Sequence, residues 1–349
     1  MKTKTKILAI VLFLLVAGAN TGFGHDEYTR VIKKEFTVNP DAQLIIDNSF
    51  GKVHCNNWDK ALVQIEITVT VEESDRKSAD KVMDGISFDI NGSASQVTAR
   101  TIIGEGGFKG RNHVTIDYMI NMPTTISPDI SNKFGDIYIN EFSGKGKINL
   151  SYGNLEANKL GNSDNLIEIK FGKANVKWIQ GAVLNLKYSE MEVDYAGSLR
   201  IDSKYSNLNA NKIIALNVNF EGGKFNMENS SSVDSKSKFS DIDITRIEQS
   251  LSLDIQYGNC SVHEMPADFS SVSIKNKYAN VDIGLADNAN YSLDADLRFC
   301  ELDFPEDQAN ISQRIITNTT KSYKGIIGKG ANPVSKVSVR SEFGNVSLE

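Results

Sequence analysis

Three cysteines, four histidines, two tryptophans and six prolines are all that 349 residues supply of those types, and each scarcity removes a class of protein. Cys55, Cys260 and Cys300 are odd in number and far apart, which is no disulfide framework. Buried free thiols are expected, with a single pair in an oxidising compartment as the alternative. His25, His54, His113 and His263 show no metal-ligand spacing with one another or with a cysteine, so neither a zinc site nor any other cofactor is implied. So little proline, with glycine at an ordinary 26, fits neither a linker protein nor a collagen-like one. No charge sign dominates: 44 acidic against 38 basic residues leave a net charge of -6. Nucleic acid is a poor partner for such a chain, because phosphate binding needs a concentrated basic surface. No G-x-S-x-G elbow accompanies the abundant serine, and Ser230-Ser231-Ser232 reads as a turn or loop. The glycine-rich stretch from Gly104 to Asn112 lacks the GK[ST] of a phosphate-binding loop.

The amino terminus does carry a signal. Lys2, Lys4 and Lys6 precede an apolar run from Ile7 to Val16, and Ala17-Gly18-Ala19 follows as a small-residue cleavage site, with a second near Gly24. The run is short for a membrane span, so residues 1–24 read as a secretory signal peptide, with a retained anchor as the alternative. No later stretch has transmembrane length, and no integral membrane segment is expected after cleavage.

Strand periodicity recurs through the rest. The unit is an aromatic, a small residue, a polar residue and then alternating apolar positions. Phe134-Gly135-Asp136-Ile137, Tyr152-Gly153-Asn154-Leu155 and Phe171-Gly172-Lys173-Ala174 begin the series. Tyr188-Ser189-Glu190-Met191, Tyr205-Ser206-Asn207-Leu208 and Phe239-Ser240-Asp241-Ile242 continue it. Tyr257-Gly258-Asn259-Cys260, Tyr278-Ala279-Asn280-Val281, Phe299-Cys300-Glu301-Leu302 and Phe343-Gly344-Asn345-Val346 complete it. Phe50-Gly51-Lys52-Val53 stands alone near the start, and a distorted copy from Phe220 to Met227 fills the gap between Tyr205 and Phe239. A spacing of about 17 to 21 residues, repeated this often, is the mark of a repeat architecture.

The phase of the alternation says more. Leu251, Leu253, Ile255 and Tyr257 share one parity, while Cys260 and Val262 resume on the other. The buried face therefore flips across each triplet, and the chain must bend there. The small residue is expected to permit the bend, and the following Asn or Asp to bond locally to the backbone. Each repeat reads as strand, corner, strand, turn, and stacked repeats form an all-β solenoid over residues 126–349. The aromatics share the parity of the buried residues before them. They are expected to stack as a column inside the core, where losing one costs about 3–5 kcal/mol.

Residues 25–125 differ, with longer strands. Leu62 to Val71 is the best single strand. Ser74 then caps a short helix ending near Met83, and strands near Ile86–Ile90, Gln96–Ile103 and His113–Ile120 follow. This stretch reads as a β-rich cap inserted between the isolated first repeat and the main array.

One column carries charge. Lys133, Lys170, Lys187, Lys204, Lys238, Lys277 and Arg298 each precede a repeat aromatic, with Ser151, Gln256 and Glu342 as exceptions. Stacked in register they form a cationic ladder, partly neutralised by Asp136, Glu190, Asp241 and Glu301. Such a ladder is either a solvated face that resists aggregation or a strip for an anionic glycan. Asp136, Asp241, Asp243, Asp282 and Asp303 are candidate acids for a polysaccharide-cleaving enzyme, which needs paired carboxylates or a calcium cluster. Their recurrence marks a scaffold feature, since an active site breaks a pattern once.

Phe50-Gly51-Lys52-Val53-His54-Cys55 followed by Asn57-Trp58-Asp59, together with the later aromatic-Gly-Asn/Asp-Ile/Val copies, resembles the bacterial putative-adhesin family of β-strand-repeat proteins, catalogued as a domain of unknown function. Asn57 stands where that family has glycine. The resemblance covers essentially the whole mature chain and implies a non-catalytic surface-binding or adhesin role at the cell envelope, in the periplasm or at the cell surface. The alternative is an envelope scaffold that binds another bacterial protein. An uncapped final strand near Glu349 offers an edge for homodimerisation.

Overall fold

The computed structural model describes residues 26–104 and 113–349; the signal-peptide reading, His25 and most of the glycine-rich stretch lie outside them. The fold is all-β, with parallel and antiparallel pairs mixed, the sheet not closed, and one α-helix among the described residues. The described residues divide into two compact units, one ending at Ile167 and the other running from Glu168 to Glu349.

In the first unit the isolated early repeat is seated between two later segments. The strand Gln43–Ser49 pairs in parallel with Gln96–Ile103 on one side and Ser127–Lys133 on the other. The strand Val53–Asn57 is likewise flanked by His113–Met122 and Ile137–Phe142. Beyond them Asp26–Thr37, Leu62–Glu73 and His113–Met122 run antiparallel, as do Ile86–Gly92 and Gln96–Ile103. The helix Arg76–Asp84 buries Ala79 and Met83. Its cap is Asp75 rather than Ser74: the Asp75 carboxylate accepts from the Ser78 amide at 3.0 Å, the N-cap geometry that satisfies an orphan donor. Those hydrogen bonds hold the Asp75 carboxyl below its ordinary value.

In the second unit the repeat is visible as register. Lys173↔Glu190↔Asn207 and Leu184↔Ile201↔Val218 align, a parallel offset of 17 residues. A constant offset keeps phase, so like faces fall on like faces, and Leu184, Ile201 and Val218 are all buried. Ser230–Ser232, expected as a turn, lies within the continuous strand Asn207–Met265; Ser230 is buried and its hydroxyl donates to the Ser232 carbonyl at 3.2 Å. A polar residue stays in the strand when the backbone takes its hydroxyl.

The order at the carboxyl terminus departs from chain order. Ser335–Glu342 inserts between Ser271–Leu285 and Tyr291–Arg298, parallel to both. Val346–Leu348 pairs with Val281–Ile283 on one side and Leu302–Asp303 on the other. The final strand is thus interior, and the dimerisation edge expected near Glu349 does not exist, because the chain returns to fill a slot left between two earlier strands. The antiparallel strands Thr320–Ile327 and Ala309–Ile316 follow outside Tyr291–Arg298.

Candidate functional site: an exposed aromatic column

Eleven described non-glycine residues have a left-handed backbone, and all are repeat aromatics: Phe50, Phe134, Tyr152, Phe171, Tyr188, Tyr205, Phe239, Tyr257, Tyr278, Phe299 and Phe343, with φ from 50° to 64°. This corrects two expectations. The aromatic itself makes the bend, not the small residue after it. One αL residue reverses the direction of its own side chain, so the ring leaves the buried face that its parity predicts. The rings are 37% to 63% exposed and in each unit stand in an outer column, not a core one.

The small residue has a different task. A Cβ on Gly135 would stand 2.0 Å from the Gly51 carbonyl oxygen, and one on Gly153 would stand 2.1 Å from that of Gly135. Adjacent corners approach backbone to backbone there, and glycine allows it. A left-handed non-glycine residue costs about 1–2 kcal/mol, and the corners offset that with hydrogen bonds. The amides of Phe50, Tyr188 and Tyr205 donate to the carbonyls of Lys133, Lys204 and Glu221 in the adjacent strand. At three of the corners a buried asparagine two residues before the ring adds a hydrogen bond to the backbone. Asn48 Nδ2 donates to Ile116 O at 2.9 Å, Asn132 Nδ2 to Gly51 O at 2.8 Å, and Asn276 Nδ2 to Ala279 O at 2.7 Å. Sequence reading passed over these asparagines; the signal was a polar residue at an apolar phase, recurring at one offset.

The rings stack at the strand spacing. In the first unit Phe50, Phe134 and Tyr152 lie 5.2 and 5.0 Å apart between centroids. In the second, Phe171, Tyr188 and Tyr205 form one run at 5.1 and 5.4 Å. Phe239, Tyr257, Tyr278, Phe343 and Phe299 form another, with steps of 4.9–5.1 Å and interplanar angles of 6–7°. Phe343 sits between Tyr278 and Phe299, as its inserted strand requires.

The cationic column runs beside the rings and is exposed or half-buried throughout. Lys133, Lys277 and Arg298 reach over their own aromatics at 5.0, 5.6 and 5.6 Å, a cation–π geometry. Lys170 pairs with Glu168 at 2.7 Å, Lys204 with Glu221 at 3.3 Å, and Glu342 with Lys277 and Arg298 at 3.5 and 3.8 Å. Lys187 and Lys238 have no ion pair among the described residues. On the other flank the Asn/Asp position was expected to bond locally and instead bonds across strands. Asp136 accepts the Asn154 amide at 2.9 Å, Asn207 accepts the Lys224 amide at 3.0 Å, and Asp241 accepts Asn259 Nδ2 at 3.0 Å. Asp136 and Asp241 are thus engaged in holding strands together. Asp282 and Asp303 are exposed, and Asp243 faces His263 at 3.2 Å with both side chains solvated. His54 packs on Tyr138 with ring centroids 4.2 Å apart.

Among the described residues no group of three or more His, Cys, Asp or Glu side chains is placed to hold a metal. The cysteines are free: Cys55 and Cys260 are buried, and burial pushes both thiols up to about 12; Cys300 is half-buried. No described helix is long and apolar enough to cross a membrane.

No family model and no curated protein matches the sequence. Among solved structures, a "putative adhesin" of Bacteroides fragilis is similar over 92% of this chain and 97% of that one, at 12% identity and a TM-score of 0.29. A "putative cell adhesion protein" of Clostridium sporogenes covers 93% and 99% at 11% identity and a TM-score of 0.20. A "putative lipid binding protein" of Parabacteroides distasonis covers 91% and 96% at 11% identity and a TM-score of 0.28. TM-scores this low carry no argument about what this chain does.

Proposed function

We propose that the chain is an exported, non-catalytic β-solenoid that binds at the bacterial cell envelope, an adhesin in the broad sense. In this reading residues 1–24 are the signal peptide, 25–125 the β-rich cap and 126–349 the repeat array. The parallel offset of 17 residues in the second unit supports the solenoid. The observation that carries the binding role is the column of half-exposed aromatics bordered by cations. Soluble monomers keep large contiguous apolar surface covered unless something binds it, and here the rings are held outward at eleven left-handed positions. Aromatic faces stack on sugar rings, and Lys170, Lys187, Lys204, Lys238, Lys277 and Arg298 supply attraction for an anionic glycan along the same line.

The test is a screen of residues 25–349 against arrayed glycans and envelope fractions at two salt concentrations. Salt-sensitive capture of anionic glycans, abolished by Lys187→Glu/Lys204→Glu/Lys238→Glu, is the expected result. Unchanged binding by that variant overturns the cationic strip. A second reading, an envelope scaffold that binds another bacterial protein, is favoured by the strand Ala309–Ile316. It pairs with Thr320–Ile327 on one side and leaves Ile315 and Ile316 52% and 56% exposed, which suits strand addition by a partner. Silence on glycans with an envelope protein captured selects that reading.

A further inference from the structure

One rung of the aromatic column has no ring. Lys204 pairs with Glu221, which places Gly222 beside Tyr205 at the ring position of its strand. Asn217 Nδ2 donates to Asp234 at 2.8 Å across a 17-residue step, and the same step carries Gly222 to Phe239. The backbone at Gly222 is built for a ring, with φ +71° beside the 50–64° of the eleven aromatics. The next residue, Gly223, also has positive φ, +117°, as Gly258 does after Tyr257. Tyr205 and Phe239 are therefore two strand spacings apart, about 10 Å. The rings respond as neighbours of a gap. Tyr205 leans toward the empty position, where a Cβ on Gly222 would meet its Cδ1 at 2.9 Å. The Tyr188–Tyr205 step is correspondingly wide at 5.4 Å. Phe239 stacks on Tyr257 alone and is the most exposed ring of the column at 63%.

We infer that the Gly222 notch is a binding site for one flat aromatic ring bearing an anionic group, which completes the stack between Tyr205 and Phe239. Each occupied step of the second unit places one ring every 4.9–5.4 Å, so the gap takes one ring and not two. Insertion removes two aromatic faces from water with no ordering of the chain beyond a small swing of Tyr205. The charge follows from what is left unpaired. Glu221 is held by Lys204 and Asp241 by Asn259, whereas Lys224 and Lys238, on the two flanks of the notch, have no ion pair among the described residues. Asn259 is neutral and leaves the Asp241 charge in place, so two unpaired lysines against one carboxylate give the notch a net positive charge. The site stands independently of the adhesin reading, since its ligand need be no glycan.

The probe is naphthalene-2-sulfonate, titrated into the purified protein by calorimetry and fluorescence. One saturable equivalent is expected. Gly222→Phe supplies the missing rung and should weaken binding at least tenfold while the protein stays folded, because Phe occupies the same backbone conformation at six other rungs, among them Phe171 and Phe239. Lys224→Gln/Lys238→Gln should weaken binding severalfold, and cyclohexanesulfonate, equally charged but not flat, should bind at least tenfold more weakly than the probe. Absent saturation in the wild type, full affinity in Gly222→Phe, indifference to the lysine pair, or equal binding of the saturated sulfonate each overturns the inference. None of these outcomes bears on the glycan screen, so the two ideas fail separately.

Discussion

Replacing Tyr257 by glycine, alanine and valine separates an outward left-handed rung from a core aromatic. Tyr257 is 44% exposed and stacked on both faces at 5.0 Å, so it buries about half its surface. At about 25 cal/mol per Å2, the roughly 100 Å2 covered is worth about 2–2.5 kcal/mol as an upper estimate. Tyr257→Ala keeps the left-handed backbone and loses that contact, so it should cost about 2 kcal/mol. Tyr257→Gly loses the same contact and relieves about 1 kcal/mol of backbone strain, leaving a net cost of about 1 kcal/mol. Tyr257→Val places a β-branched residue at φ 55° and should be the worst, at about 3 kcal/mol. The assay is urea unfolding followed by circular dichroism, with midpoints compared at equal slopes. A core aromatic gives the reverse order, since the cavity grows from valine to alanine to glycine. Glycine as the most damaging substitution refutes the reasoning.

The close approach of adjacent corners predicts that Gly135→Val, whose Cβ would meet the Gly51 carbonyl oxygen at 2.0 Å, costs about 2–3 kcal/mol in the same assay; a neutral result removes the packing argument. Titration with a thiol reagent should label Cys300 in the native protein and Cys55 and Cys260 only on unfolding. Alkaline unfolding follows from the same two buried thiols. Their native value of about 12 lies above the roughly 8.5 of an unfolded cysteine. Their contribution is complete below pH about 8.5 and is lost as pH rises toward 12, because the unfolded chain releases protons that the native one keeps. Cys55→Ala/Cys260→Ala should flatten that decline, and an unchanged profile refutes the assignment.

Much of the architecture is legible in the sequence. The strand Leu62–Glu73, the helix near residue 80 and the strands at Ile86, Gln96 and His113 followed from alternation and capping, because those patterns depend on neighbours close in sequence. The helix cap slipped by one residue, from Ser74 to Asp75, since two adjacent side chains could each reach the first turn. The stretch at Ser230 was misjudged because composition does not show which hydroxyls the backbone will satisfy.

The sequence by itself determined that the chain is β-rich, that it repeats, and that the buried face flips at every aromatic, because period-two alternation survives any arrangement in space. Only the tertiary structure decided which side the rings face. Parity counts residues and cannot register that one residue has turned left-handed, which reverses a side chain without changing the count. It also decided neighbours: Phe343 falls between Tyr278 and Phe299, and Phe50 beside Phe134, because strand pairing is a contest among distant segments for open hydrogen-bonding edges. The empty rung at Gly222 became a feature only when Tyr205 and Phe239 were placed on either side of it.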